Sequence, residues 1–142
     1  MANEAVLWIQ KSPPIPYTVA DATGIEKGTH LKLGDPRTAS QTSGTDDLVA
    51  GFAATEKIAS NGQTKLGVYV DGWFKVIASG TVTVGDPLGF AGIDGQNYVY
   101  SNRLVANNSG LRTVGTAEES AVDEETFIMQ LNPTVIAQFV AT

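Results

Sequence analysis

"LGVYVDGWFKVIA" (66–78) is the stretch on which the fold turns. Asp71-Gly72 between two runs of β-branched and aromatic residues is the signature of a two-residue hairpin with a type I′ turn, which needs positive φ at both central positions. In that register Val70 faces Trp73 and Tyr69 faces Phe74 across the strands. Val68 and Trp73 then share one side, and Tyr69, Phe74 and Val76 the other. Both sides are largely apolar, so the hairpin is expected inside a sandwich or barrel, or with one face against another subunit. Tyr69, Trp73 and Phe74 are the residues this reading assigns to a subunit interface.

The surrounding chain agrees with a β protein. Its 142 residues suffice for one compact domain with a core, only 17 % are charged, and glycine, threonine, valine and alanine are abundant. The net charge is −6 and the nine Lys and Arg are scattered, whereas nucleic-acid binding draws on clustered basic residues. A nucleic-acid partner is therefore not expected. The absence of cysteine excludes disulfide and thiol chemistry. "MANEAVLWIQKSPP" lacks the basic start and long apolar run of a signal peptide, and no apolar run approaches the ~20 residues of a membrane span. The expectation is a soluble protein with no membrane partner.

Strand and turn signals recur. "GTHLKLGDP" (28–36) alternates Leu31 and Leu33 with His30 and Lys32, and "GTVTVGDP" (80–87) alternates Val82 and Val84 with Thr81 and Thr83. Both end in Gly-Asp-Pro, 51 residues apart, and in each the acid is expected to brace its own turn. "VAGFAATEKIA" (49–59) and "TVGTAEESAVD" (113–123) share a Gly-x-Ala pattern 64 residues apart, each before an apolar strand, "TKLGVYV" (64–70) and "TFIMQL" (126–131). The order reads as a duplicated β-unit whose second copy carries about a dozen extra residues within 92–110. Helix is scarce: "EESAVDEE" (118–125) is given a single turn. Asn132-Pro133 resembles an N-cap and first helical position, which predicts a short helix over 133–140 against the β-branched content of "TVIAQFV".

The first sixteen residues stand apart. "AVLWIQ" (5–10) is apolar, and Pro13, Pro14 and Pro16 favour an extended path. Val6, Leu7, Trp8 and Ile9 make a poor free tail, so the segment reads as an arm that reaches another subunit rather than a frayed end or an edge strand. The layout expected is an arm (1–16), a β-rich domain (17–133) and a tail (134–142).

The search for chemistry returns little. No dinucleotide fingerprint or Walker motif occurs, and the glycines of 79–92 have neither a helix nor a lysine behind them to hold phosphate. His30 is the sole histidine, expected on the wet face of its strand beside Lys32. A zinc site would need carboxylates almost alone. The acid pairs Asp46-Asp47, Glu118-Glu119 and Glu124-Glu125 read as solvated turn acids, with a weak calcium site near Asp46-Asp47 as the alternative. Asn107-Asn108-Ser109 fits the glycosylation triplet from Asn107, which means little without a secretory signal. No catalytic residue, metal ligand or cofactor is assigned. Trp8 and Trp73 could stack on sugars, which leaves a carbohydrate-binding β-module as the alternative function, although large aromatics more often anchor cores and interfaces.

In order and spacing, "TVADATGIEKGT", "LKLGDPRTA", "VAGFAATEK", "LGVYVDGWF", "VTVGDPL" and "VGTAEES…FIMQLNP" resemble the small capsid decoration (cement, or head-stabilising) proteins of tailed viruses. The resemblance spans about residues 1–133 and rests on the run of segments rather than on one diagnostic motif. It implies an all-β, barrel-like or tulip-like domain with an extended N-terminal arm, related in architecture to the lambda head-decoration protein. It also implies a homotrimer, made in the host cytoplasm, on the outer surface of an icosahedral capsid at three-fold and quasi-three-fold positions. Its arm would add a strand to the major capsid protein or cross to a neighbouring subunit. The arm residues here are Ala5, Val6, Leu7, Trp8, Ile9, Pro13, Pro14, Ile15 and Pro16.

Overall fold

The computed structural model describes residues 4–42, 48–91, 103–106 and 112–135. Among them the chain is all β, with no helix. Strand β1 (Val6–Ile9) precedes a first set: β2 (Ile15–Thr18), β3 (His30–Gly34), β4 (Thr38–Gln41), β5 (Val49–Ala53) and β6 (Lys65–Tyr69). A second set follows: β7 (Gly72–Ala78), β8 (Pro87–Phe90), β9 (Arg103–Ala106), β10 (Arg112–Ala117) and β11 (Thr126–Val135). The first set closes into a barrel, β2-β4-β3-β5-β6. Its neighbours are antiparallel except at the β2–β4 seam, which is parallel. The second set closes in the corresponding order, β7-β9-β8-β10-β11, again with one parallel seam, β7–β9. β1 lies beside the second barrel, antiparallel to β7.

The two barrels are a duplicated unit. The isolated bridge Ile25–Lys57 recurs as Val82–Ala121, and the bond from Gly28 N–H to Ala53 O recurs from Gly85 N–H to Ala117 O. Ile25 and Lys57 are 32 residues apart and their equivalents Val82 and Ala121 are 39 apart, so that stretch is longer by seven residues in the second unit, not by about a dozen. The Gly-x-Ala segments are equivalent. A Cβ at Gly51 would collide with Tyr69 O and one at Gly115 with Gln130 O, so each barrel needs glycine where its last two strands approach. The two Gly-Asp-Pro turns are not equivalent. Gly85-Asp86-Pro87 leads into β8 where the first unit has Gly28-Thr29-His30, while Gly34-Asp35-Pro36 lies at the exit of β3. Asp86 does brace its turn, accepting from Thr83 N–H at 2.9 Å.

The 66–78 hairpin does not form. β6 pairs with β2 and β5, whereas β7 pairs with β1, β11 and β9, so Val70-Asp71 is the crossover between barrels. Gly72 takes φ +119° and Asp71 has no positive φ, so the turn is not type I′. Tyr69 lies opposite Phe52 and Phe74 opposite Met129, and the predicted Tyr69–Phe74 pair survives only as a ring contact at 5.5 Å. Asp-Gly permits a tight reversal without requiring one, and each strand finds antiparallel partners on other strands, β6 with β2 and β5 and β7 with β1 and β11.

Neither predicted helix is present among the described residues. Residues 118–125 form bends and a turn in which Glu125 N–H donates to Val122 O. β11 continues through Asn132-Pro133 to Val135; residues 136–142 lie outside the described residues. Its pairing with β10 jumps from Gly115–Leu131 to Thr113–Thr134. Pro133 therefore falls within a bulge, where a missing amide breaks no ladder bond.

His30 is not on a wet surface. Leu31 points into the first barrel as the alternation predicts, but the opposite face of β3 is covered by the second barrel. There His30 is fully buried, stacked on Phe52 at 4.7 Å and on Phe90 at 5.6 Å, with Phe52 edge-on to Phe74 at 4.8 Å. Burial pushes the imidazole down to about 3, so it is neutral near pH 7. Phe52, from the first barrel, thereby belongs to the same apolar cluster as Phe74, Phe90, Phe127 and Leu131 of the second.

Candidate functional site

The N-terminal segment docks on its own chain. Ala5 N–H donates to Gly28 O at 2.9 Å, Ala5 is buried, and Leu7 packs against the second barrel's core. Gly28, at φ +84°, leaves the space that Glu4 and Ala5 occupy, because a Cβ there would meet Ala5 O and the Glu4 Cβ. β1 then runs along β7 with Val6 opposite Lys75, Leu7 opposite Phe74 and Ile9 opposite Trp73. Trp8 is the extra residue of a bulge, and bulges re-aim side chains at sheet edges. β1 is also the terminal strand of its sheet, so its outer backbone edge has no strand on it among the described residues.

Residues directly opposite in a ladder share a face. One outward row is therefore Val6, Lys75 and Ile128, and the next is Ile9, Trp73 and Gln130. Val6 is 59 % exposed, Trp8 51 % and Ile9 45 %, while Trp73, Ile77 and Ile128 are half-buried. Trp73 Nε1–H donates to Glu118 Oε2 at 3.1 Å, which fixes the indole on that face. The result is an apolar sheet face beside an open strand edge, with Lys75 as the cation within it. Such a surface suits strand addition and the burial of aromatic anchors.

The expected arm residues thus divide. Val6, Trp8 and Ile9 share this surface; Ala5 and Leu7 hold it to the body. Pro13, Pro14 and Pro16 are exposed beyond it, and Ile15 begins β2 opposite Val68. Of the three expected interface residues only Trp73 is on the face. Phe74 is buried in the chain's own core, and Tyr69 is half-buried and packs against that core. Ile77 and Ile128 are members the sequence reading missed; once β7 and β11 are paired, their alternation with Val76, Phe127 and Met129 identifies them.

Beside the Trp73–Glu118 bond, several acids accept backbone amides. Glu119 Oε1 accepts from Ile128 N–H at 2.9 Å, Asp123 Oδ1 from Gly80 N–H at 2.8 Å and Glu125 Oε1 from Val122 N–H at 3.2 Å. Among the described residues no group of three or more His, Cys, Asp or Glu side chains could hold a metal ion. Asp46-Asp47 and Asn107 lie outside the described residues.

At the root of β1, Glu4 is raised to about 7 by partial burial first and then by its hydrogen bond with Glu26, which the same bond lowers. The raised Glu4 favours docking at low pH, and that contribution is lost as the pH rises through about 7. Amide exchange in Val6–Ile9, corrected for intrinsic rates, is expected to speed up as the pH rises from 4.5 to about 7. Glu4→Gln should flatten that dependence; an unchanged slope would assign it to other groups.

No protein-family model matches this chain, and no curated protein sequence does. Its architecture is that of paired small β-barrels made by duplication. Among solved structures it is similar to the crystal structure of the head fiber gp8.5 N base of bacteriophage phi29, at TM-score 0.54 and 18 % identity, over 87 % of this chain and 98 % of that one. At that identity the likeness is one of fold.

Proposed function

We propose that this chain is a structural protein of a tailed-virus head, bound to the outer capsid surface as a trimer at three-fold and quasi-three-fold positions, where it stabilises the shell. The observation that carries the reading is the fold shared with a phage head-fiber base over nearly the whole chain. The open edge of β1 and the face bearing Val6, Trp8, Ile9 and Trp73 suit a non-catalytic, contact-making role. The partner is the major capsid protein, engaged by adding a strand to β1 or by covering this face. Strand addition makes little demand on sequence, and many copies on one shell multiply a weak contact.

The experiment is co-sedimentation with heads lacking the protein, alongside light scattering of the free chain. Truncating 2–16 is unsuitable, because it removes buried Ala5 and the start of β2. The double variant Val6→Ser/Trp8→Ala changes only exposed side chains. It should keep the wild-type melting temperature and lose head binding about tenfold or more, the scale of losing one aromatic anchor. Undiminished binding would remove this face from the interface.

A further inference from the structure

The duplication shows how one barrel closes another. At the end where β7 begins and β8 stops, the second barrel is stoppered by a row on the outside of the first, His30, Phe52 and Tyr69. His30 stacks on Phe90, while Phe52 and Tyr69 meet the ring of Phe74. Register carries both halves of this contact across the repeat. Ile15 lies opposite Val68 as Phe74 lies opposite Met129, and Leu33 lies opposite Ala39 as Phe90 lies opposite Leu104. Ile15 and Leu33 therefore mark the corresponding mouth of the first barrel. The row equivalent to His30, Phe52 and Tyr69 is Pro87, Thr116 and Gln130, on the outside of the second.

Among the described residues both equivalents stand open. Phe74 and Phe90 are 1 % and 0 % exposed, whereas Ile15 and Leu33 are each 37 % exposed. Clefts of about 440 and 420 Å³ open at that mouth, the first lined by Ile15 and Val70 and the second by Leu33 and Leu48. On the other half, Thr116 is exposed and Pro87 half-buried. Gln130 already stands at the rim of the first cleft in its own chain, so Pro87 and Thr116 are the part of the row a neighbour can take. The clefts carry Lys11 and Arg37 but also Asp35 and Asp71, so charge selects neither an acidic nor a basic occupant. An uncharged row, with the Thr116 hydroxyl to donate and accept, suits walls of both signs.

We propose that the open mouth of the first barrel is filled by the Pro87–Thr116 row of a second copy, repeating between chains the contact that joins the two barrels within one. Ile15 then meets the neighbour's Thr116 as Phe74 meets Phe52, and Leu33 meets the neighbour's Pro87 as Phe90 meets His30. The contact is head-to-tail: each copy offers its mouth to one neighbour and its row to the other. A three-fold ring requires a contact of that kind, because a two-fold one closes at two copies. The proposal rests on the functional reading for the number three alone, and it leaves the edge of β1, with Val6 and Trp8, to the shell.

The chain has no cysteine, so single introduced thiols report the contact. Ile15→Cys and Thr116→Cys chains, mixed and treated with a short bismaleimide, should give a covalent dimer, either free in solution or bound to heads. Neither chain alone should do so, since a head-to-tail contact never pairs a position with itself. Ile58→Cys, exposed at the opposite end of the first barrel, serves as the control in place of Ile15→Cys. It should give about tenfold less adduct with Thr116→Cys, because only a formed contact raises the effective concentration of one thiol near the other. A mixture no better than the control, both free and on heads, overturns the contact, and so does an adduct between two Thr116→Cys chains. Cross-linking in solution by a chain that does not bind heads overturns the functional reading and leaves the contact standing. Should Ile15→Cys fail to fold, Leu33→Cys with Pro87→Cys repeats the test.

Discussion

Acidification from pH 7 to 3 is expected to remove up to ~5 kcal/mol more stability from the wild-type chain than from His30→Leu. The figure follows from an imidazole held at about 3 rather than at its ordinary 6.5, with 1.36 kcal/mol for each unit. The direction follows from linkage. Below pH 6.5 the unfolded chain binds a proton that the folded chain refuses, so stability present above 6.5 is lost progressively as the pH falls to about 3. The cause is the sandwich of Phe52 and Phe90 between the barrels, which strips water from the ring. Urea unfolding at several pH values checks it. The other titrating groups are common to both chains, so their difference isolates His30, and parallel curves would mean that the imidazole is hydrated in the folded state.

The second large effect is at Lys57, which is buried with its Nζ donating to Asp21 O at 2.7 Å, Thr23 O at 2.9 Å and Ile58 O at 3.3 Å. The ammonium ties the segment after β2 to the segment after β5, where the backbone bridge Ile25–Lys57 also lies. Lys57→Met keeps most of the stem and removes the three donors. Orphaning buried carbonyls that a charged donor had satisfied should cost about 3–5 kcal/mol. For a chain of this size that lowers the melting temperature by roughly 10 °C. The loss should begin locally, with faster exchange at the amides of Ile25 and Lys57 while Val82 and Ala121 stay protected. A melting temperature within a degree or two of wild type would show that solvent reaches those carbonyls. Ala121 holds the equivalent place in the second barrel, so the duplicated units solve the same loop junction with different chemistry.

Legibility differed along the chain for physical reasons. The all-β class, the scarcity of charge clusters and the turn role of the acids follow from local composition and hydrogen-bonding habit. The Gly-x-Ala repeat was legible because both barrels need glycine where a partner strand's carbonyl approaches, a constraint that survives divergence. The matching Gly-Asp-Pro turns misled, since a good turn sequence recurs wherever a turn is needed. Of the candidate surface, Val6, Trp8, Ile9 and Trp73 stood out as apolar residues without an evident core. Ile77 and Ile128 did not, because only strand pairing puts them on one face.

The 66–78 segment marks the boundary. By itself the sequence determined that these residues make two strands joined by a sharp bend, because β-branched and aromatic side chains flank a dipeptide that turns easily. Only the tertiary structure decided that the strands part at the bend and enter different barrels. The pairings with β2 and β5 on one side of the bend, and with β11 and β1 on the other, bury more than a two-stranded ribbon could, and they are more distant in sequence. The same long-range choice put the sixth residue beside the seventy-fifth, left His30 dry between two phenylalanines and exposed Trp8 at an open edge.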